Sequence, residues 1–200
     1  MNSKRTEYPG KRMDDRELML RVKAGDHAAF ESLVEGHRDR TVNFLYRMVG
    51  DADEAEDLAQ EAFLRVYKAR RRYEPMAQFS TWLYRISYNL ALSHYRQKGR
   101  RRFEALGEAP ATNPGPEAHL ASQETVRHVW EALDALPPKQ RMALVLTRFE
   151  DCSYERAAEV MKTTKAAIRS LVARARETLR HRLRAVIEVA AATKPAVKEA

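Results

Sequence analysis

The sequence predicts an all-α protein built as two helical domains joined by a flexible linker. Three observations carry this expectation. Apolar residues recur at helical spacing through two long blocks, and no stretch shows the period-two alternation of a strand. Between the blocks, residues 103–120 read FEALGEAPATNPGPEAHL, with three prolines, two glycines and neither Lys nor Arg. The proline-bearing middle of that segment excludes a regular helix, so it is a linker by composition. The expected boundaries are a loose N-terminus over 1–13, one domain over 14–102, the linker over 103–120, a second domain over 121–187, and a frayed Ala/Lys-rich tail over 188–200.

The elements follow in order. Asp14 with Glu17 forms a capping box that opens a first helix, and Gly25 suits its stop. A helix from about His27 to Val49 ends at Gly50, and Asp51 with Glu54 opens another that runs to about Ala69. Ser80 is the expected cap of a long helix carrying Leu83, Ile86, Leu90 and His94 on one side. After the linker, Val126, Val129, Leu133 and Leu136 mark a helix that stops at Pro137-Pro138. Lys139–Phe149 is the next helix, and Ser153 caps a short one ending near Met161. Thr164 caps the last. There Ile168, Val172, Ala175, Leu179, Leu183 and Val186 form one continuous apolar stripe. A short helix, a tight turn and a longer amphipathic helix make a helix-turn-helix.

Composition narrows the function. An apolar content of 44% suffices for a packed core. The longest unbroken apolar run, Met142–Leu146, falls far short of the ~20 residues that span a bilayer, and Asn-Ser-Lys-Arg-Thr-Glu after Met1 holds no apolar signal core. Cys152 is the single cysteine, which leaves neither a disulfide framework nor a Cys-rich zinc module. A soluble, reduced, cytosolic protein without a membrane partner is expected. Lys plus Arg number 36 against 28 Asp plus Glu, so 36 − 28 = +8. That balance fits either a nucleic-acid partner or a plain solvated basic surface. The charges are segregated: Lys68, Arg70, Arg71 and Arg72 form one basic cluster, and Arg96, Lys98, Arg100, Arg101 and Arg102 a second. The acids gather in Asp51–Glu61, which points to two surfaces with different partners.

On the final helix, Lys165, Ala166, Arg169, Ser170, Ala173 and Arg174 lie outside the apolar stripe near the N-terminal end, where a recognition helix enters the major groove. Small Ala and Ser permit close approach, and Arg bonds guanine edges or phosphates. Asp57, Gln60 and Glu61 share one exposed patch by their spacing, while Leu58, Ala62 and Val66 face the core. That patch reads as paired carboxylates for acid–base or metal chemistry, as a plain acidic surface, or as a dock for a basic protein; the pattern does not choose. Asn89, Ser93, Arg96, Gln97 and Arg100 keep to one side of the Ser80 helix, suited to base edges and phosphates. Tyr73, Phe79, Trp82, Tyr84 and Tyr88 nearby suit unstacked bases, but most of these rings, Trp82 and Phe79 above all, fit a core better than a base platform. The six histidines are scattered, and Cys152 reads as an inert thiol ahead of a redox switch. With no Walker loop, GxGxxG or nucleophile elbow, no catalytic residue, cofactor, metal or small-molecule substrate is expected.

Four segments in register, DEAEDLAQEAFLRVYKA, FSTWLYRISYNLALSHYRQKGRR, LPPKQRMALVLTRFEDCSYERAAEVM and AIRSLVARARETLRHRL, resemble an extracytoplasmic-function (ECF) sigma factor of the sigma-70 superfamily, from about Asp14 to Leu183. The resemblance implies sigma region 2 in the first domain and sigma region 4 in the second. It implies binding to core RNA polymerase, at the clamp of the largest subunit and the flap of the second, and to promoter DNA, both duplex and melted. Asp57, Gln60 and Glu61 would dock on the clamp. Asn89 would read the flipped minus-ten base, framed by the Tyr73–Gln78 loop, with Tyr88, Ser93, Arg96, Arg100 and Arg101 around the melted strand. Lys165, Arg169, Ser170, Ala173 and Arg174 would read the minus-thirty-five element. The acidic linker would thread channels later used by RNA. An anti-sigma partner is a further implication, as are a stress or envelope-response regulon and association with the nucleoid in holoenzyme. The chain departs from the family pattern at Ser93, at Leu171 where a basic residue is usual, at Lys162 where Gly is usual in the turn, and in the Pro75 loop. A stand-alone helix-turn-helix regulator explains the C-terminal half but leaves the acidic helix without a role. An enzyme using Asp57 and Glu61 ranks third.

Overall fold

The computed structural model describes residues 14–74, 78–104 and 120–184, with side chains over 14–74, 78–97 and 126–184. The N-terminal segment, the centre of the linker, Pro75–Ala77, Val186 and the tail lie outside the described residues. The all-α expectation is borne out. The helices are α1 (Asp15–Lys23), α2 (His27–Val49), α3 (Ala52–Ala69), α4 (Phe79–Glu104), α5 (Leu120–Asp134), α6 (Pro138–Arg148), α7 (Tyr154–Met161) and α8 (Lys165–Arg182), with a 3₁₀ turn at Arg70–Arg72 after α3.

Caps set the N-terminal bundle. The Asp51 carboxylate accepts from the Glu54 amide at 3.0 Å, and Asp53 and Glu54 oppose the positive end of α3. Gly50 closes α2 at φ 80°, a left-handed position that favours glycine. Ser80 does not cap α4. The Thr81 and Trp82 amides donate instead to the Gln78 carbonyl, at 3.0 and 3.3 Å, and the Ser80 hydroxyl, inside the helix, is taken by the Arg156 side chain. Leu18, Met19 and Val22 of α1, Leu33 of α2, Phe63 and Val66 of α3, and Phe79, Leu83 and Leu90 of α4 pack into one core.

In the C-terminal half, α6 begins one residue earlier than the pattern implies, at Pro138, where the missing N–H would have had no helical partner. Ser153 and Thr164 cap α7 and α8 by accepting from the Arg156 and Ala167 amides at 3.2 and 3.1 Å. Between them Lys162 adopts φ 49°, and Thr163 N–H reaches the Ala158 carbonyl at 3.0 Å. This is a Schellman-type stop that favours glycine. Lys162→Gly is therefore expected to stabilise the chain by about 0.5–1 kcal/mol, the relief of left-handed strain exceeding glycine's added unfolded-state entropy. Thermal unfolding followed by circular dichroism checks this; a lower midpoint would contradict it.

The two halves share a core. Phe44, Leu45 and Met48 of α2 and Tyr84, Tyr88 and Ala91 of α4 belong to one buried cluster with Met142 and Leu146 of α6, Val160 of α7, and Ile168 and Val172 of α8. Glu150, whose side chain is 2% exposed, sits at this seam. It accepts from Tyr84 Oη at 2.5 Å and pairs with Arg40 at 3.1 Å and Arg47 at 3.6 Å. Burial, reinforced by the Glu150 hydrogen bond, holds the Tyr84 phenol far above its usual range, so it stays a donor. Arg141, 1% exposed, donates from Nε to the Arg47 carbonyl at 2.7 Å and from Nη1 to Asp134 at 2.5 Å. Arg85 donates to the Glu159 carbonyl at 2.7 Å. Tyr46 meets Trp130 edge-on at 4.7 Å. Among the described residues no helix is long and apolar enough to cross a membrane.

Candidate nucleic-acid interface

Three faces carry the residues singled out by the sequence. On α3, burial of Ala55, Ala59, Ala62, Phe63 and Val66 turns the opposite side to water. Asp57 and Gln60 are exposed there and Glu61 half-buried. Among the described residues no ion pair or hydrogen bond engages the side chains of Asp57 or Gln60. Glu61 accepts from Arg65 Nε at 2.7 Å, and that bond holds its carboxyl below the ordinary range. It therefore keeps its charge further into acid than a free glutamate. The exposed Leu64 lies one turn on along the same side.

On α4, Asn89, Ser93 and Arg96 are exposed at offsets of four and three, so they form one stripe. Arg100 and Arg101 continue α4, their side chains outside those described. Tyr88 is 7% exposed and lies within the shared core. Tyr73, Phe79 and Tyr84 are buried as well, leaving Trp82 half-buried as the most accessible ring of the five. These aromatics serve packing first.

On α8, Ile168, Val172 and Ala175 are buried while Lys165, Arg169, Ser170, Ala173 and Arg174 are exposed. The Lys165 ammonium pairs with Glu155 of α7, whose carboxyl it holds below the usual range. Lys165 thus braces the two helices of the motif. Leu171, in place of a basic residue, is partly buried against the core, which explains an apolar side chain there. Cys152 is buried, its amide bonded to the Leu146 carbonyl at 3.0 Å, and burial pushes its thiol up, away from thiolate chemistry. Among the described residues no group of three His, Cys, Asp or Glu side chains is placed to hold a metal ion.

The sequence matches a family model for sigma-70 region 2 over residues 33–101, which holds the exposed faces of α3 and α4. It matches one for sigma-70 region 4 over residues 127–179, which holds the helix-turn-helix. The chain is 40% identical over 163 residues to the ECF RNA polymerase sigma factor SigE of Mycolicibacterium smegmatis, covering 78% of this chain and 63% of that protein, slightly under two thirds of its length. It is 32% identical over 174 residues to the ECF RNA polymerase sigma factor SigW of Bacillus subtilis, covering 82% of this chain and 93% of that protein. The chain belongs to the ECF RNA polymerase sigma factors. Among solved structures it is similar to the sigma factor RpoE of Bartonella quintana in complex with the anti-sigma factor NepR. That match has a TM-score of 0.63 at 26% identity, over 78% of this chain and 96% of that one.

Sequence reasoning missed the residues joining the two halves of this sigma factor: Arg40, Arg47, Tyr84, Arg141 and Glu150. The available signal was Arg141 directly before the run Met142–Leu146, since a charge carried into the core with such a run needs a buried partner.

Proposed function

We propose that this sigma factor binds core RNA polymerase through the α3 face of Asp57, Gln60 and Glu61 and carries promoter specificity on α4 and α8. Asn89 reads an unstacked minus-ten base, with Ser93, Arg96, Arg100 and Arg101 holding the melted strand beside it. Arg169, Ser170, Ala173 and Arg174 read the minus-thirty-five duplex. Melting is driven by capture of unstacked bases, whose extrusion costs roughly a few kcal/mol each. The chain supplies recognition and leaves catalysis to the polymerase. It works in the cytoplasm, on the nucleoid when in holoenzyme, and is held in check by an anti-sigma partner, as its structural relative from Bartonella quintana is bound by one.

The observation that carries the reading is the exposed α3 face, whose Asp57 and Gln60 side chains have no partner among the described residues. A regulator acting alone on duplex DNA has no use for such a face. The test is binding of labelled full-length protein to purified core polymerase, followed by transcription from a promoter it selects. Tight duplex binding without polymerase binding would favour the stand-alone regulator.

The recognition helix yields a second expectation. Arg169→Ala and Arg174→Ala are each expected to weaken holoenzyme binding to a minus-thirty-five fragment by about 1–3 kcal/mol. An arginine on a base edge relaxes specificity at one position. One on a phosphate lowers affinity evenly and reduces the salt slope by about one. Fluorescence anisotropy over a salt series separates the two, and unchanged affinity for both variants would remove α8 from the interface.

A further inference from the structure

We infer that Lys162, in the turn of the helix-turn-helix, is a phosphate anchor that seats α8 on the minus-thirty-five duplex, and that the chain accepts a strained backbone there to keep it. The inference deepens the α8 reading above and rests on it. Among the described residues two other than glycine have positive φ, Asp151 at 50° and Lys162 at 49°. They are not alike. Aspartate is one of the few side chains that visit the left-handed region, because its short polar group bonds the nearby backbone. Lysine has no such local compensation, and glycine would form the stop of α7 without strain. A side chain held where the turn itself favours none points to a role outside the turn.

The position suits a contact with the DNA backbone. In a helix-turn-helix the first helix crosses that backbone and the second enters the major groove by its N-terminal end. Lys162 ends α7 and stands two residues before Thr164, the cap of α8, so it lies between the backbone crossing and the groove. Its side chain is exposed, and among the described residues no ion pair or hydrogen bond engages its ammonium. The neighbouring cation is differently placed, since Lys165 pairs with Glu155. Leu171 is partly buried against the core and carries no charge. With Arg169 and Arg174 on the reading face, Lys162 is left to fix the register of α8 on a phosphate. A lysine ammonium, a compact point charge with three rotatable donors, suits that task. The same charge also lies at the carbonyl end of α7, where the helix dipole favours a cation. That second role acts within the folded chain and leaves DNA binding untouched, so the two roles separate by experiment.

The test compares holoenzymes carrying the wild type, Lys162→Arg, Lys162→Gln and Lys162→Gly on a duplex minus-thirty-five fragment, by fluorescence anisotropy over a salt series. Lys162→Gln keeps a side chain in the left-handed turn without the charge, and Lys162→Gly removes charge and strain together. One phosphate contact contributes about 0.9 to the slope of log affinity against log salt. Both variants are therefore expected to bind about 8-fold more weakly at ~0.1 M salt and about 4-fold more weakly at ~0.2 M, with a slope smaller by about one. The loss should be even across fragment sequences, and Lys162→Arg should keep the wild-type slope. Thermal melts of the free proteins read folding separately. Lys162→Gly is expected to melt above the wild type while binding DNA more weakly, opposite signs that a purely structural lysine does not give. Wild-type affinity and slope in Lys162→Gln and Lys162→Gly overturn the anchor; a lowered midpoint of Lys162→Gln alongside them assigns the charge to the α7 dipole instead. A loss confined to one fragment sequence at unchanged slope overturns the phosphate assignment in favour of a base contact. A wild-type holoenzyme that never binds the fragment overturns the α8 reading, and the anchor with it.

Discussion

Replacing Asp57, Gln60 and Glu61 together with alanine is expected to weaken binding to core RNA polymerase about 100-fold or more, while the thermal midpoint stays near that of the wild type. The two halves of this expectation have different physical grounds. Asp57 and Gln60 are exposed and Glu61 half-buried on the side of α3 away from Ala55, Ala59, Ala62 and Val66, so truncation opens no cavity. Among the described residues the triple substitution removes one ion pair, Glu61–Arg65, which lies at the surface where solvent screening leaves such a contact contributing little. At an interface, however, a clustered few residues carry most of the binding energy at about 2 kcal/mol or more apiece, and charged members also speed encounter with a basic partner. Fluorescence titration of labelled protein with purified core polymerase, beside a thermal melt, measures both. Equal affinity for variant and wild type would move the docking surface elsewhere on the chain. Lost affinity with a lowered midpoint would mean that α3 itself had been damaged.

What could be read before the fold was known, and what could not, divides along sequence distance. The Asp51, Ser153 and Thr164 caps each bond the amide three residues on, so their function is written in nearby letters. The stripe Ile168, Val172, Ala175 is likewise local, and its burial leaves Arg169, Ser170, Ala173 and Arg174 exposed. Ser80 shows where even local reading slips. Its hydroxyl looked available for a cap, but Arg156, 76 residues away, takes it. The seam lies wholly in that second category. Tyr84 and Glu150 are 66 residues apart, Arg47 and Arg141 are 94, and Arg40 and Glu150 are 110. No periodicity encodes such pairings, because they depend on two separately formed bundles meeting. The linker composition argued for independent halves; the shared core around Met48 and Leu146 shows that they also dock.

Arg141 is the most deeply buried charge of this docking, and truncating its partner is expected to cost more than replacing Arg141 itself. Asp134 is 46% exposed, so its carboxylate returns to water cheaply if Arg141 is removed. The Arg141 guanidinium has no such recourse. Its Nη2 already lacks a hydrogen-bond partner, and Asp134→Ala would leave Nη1 in the same position beside the Trp130 ring. Breaking a buried pair by removing one partner costs about 3–5 kcal/mol; water reaching the half-exposed Asp134 site lowers that to about 2–3 kcal/mol here. Arg141→Met fills most of the same volume with an apolar chain and gives up the charge altogether. Its costs are the Asp134 bond, largely recovered in water, and an unpaired Arg47 carbonyl worth about 1–3 kcal/mol, offset by the desolvation no longer required. The expected order of thermal midpoints is wild type at or slightly above Arg141→Met, with Asp134→Ala lowest by about 4–12 °C, at ~2–4 °C per kcal/mol for a chain of this size. The double variant Asp134→Ala/Arg141→Met should recover most of the loss of Asp134→Ala, because it is the stranded cation that destabilises. Failure of that rescue would show that Asp134 stabilises the fold by a route other than Arg141.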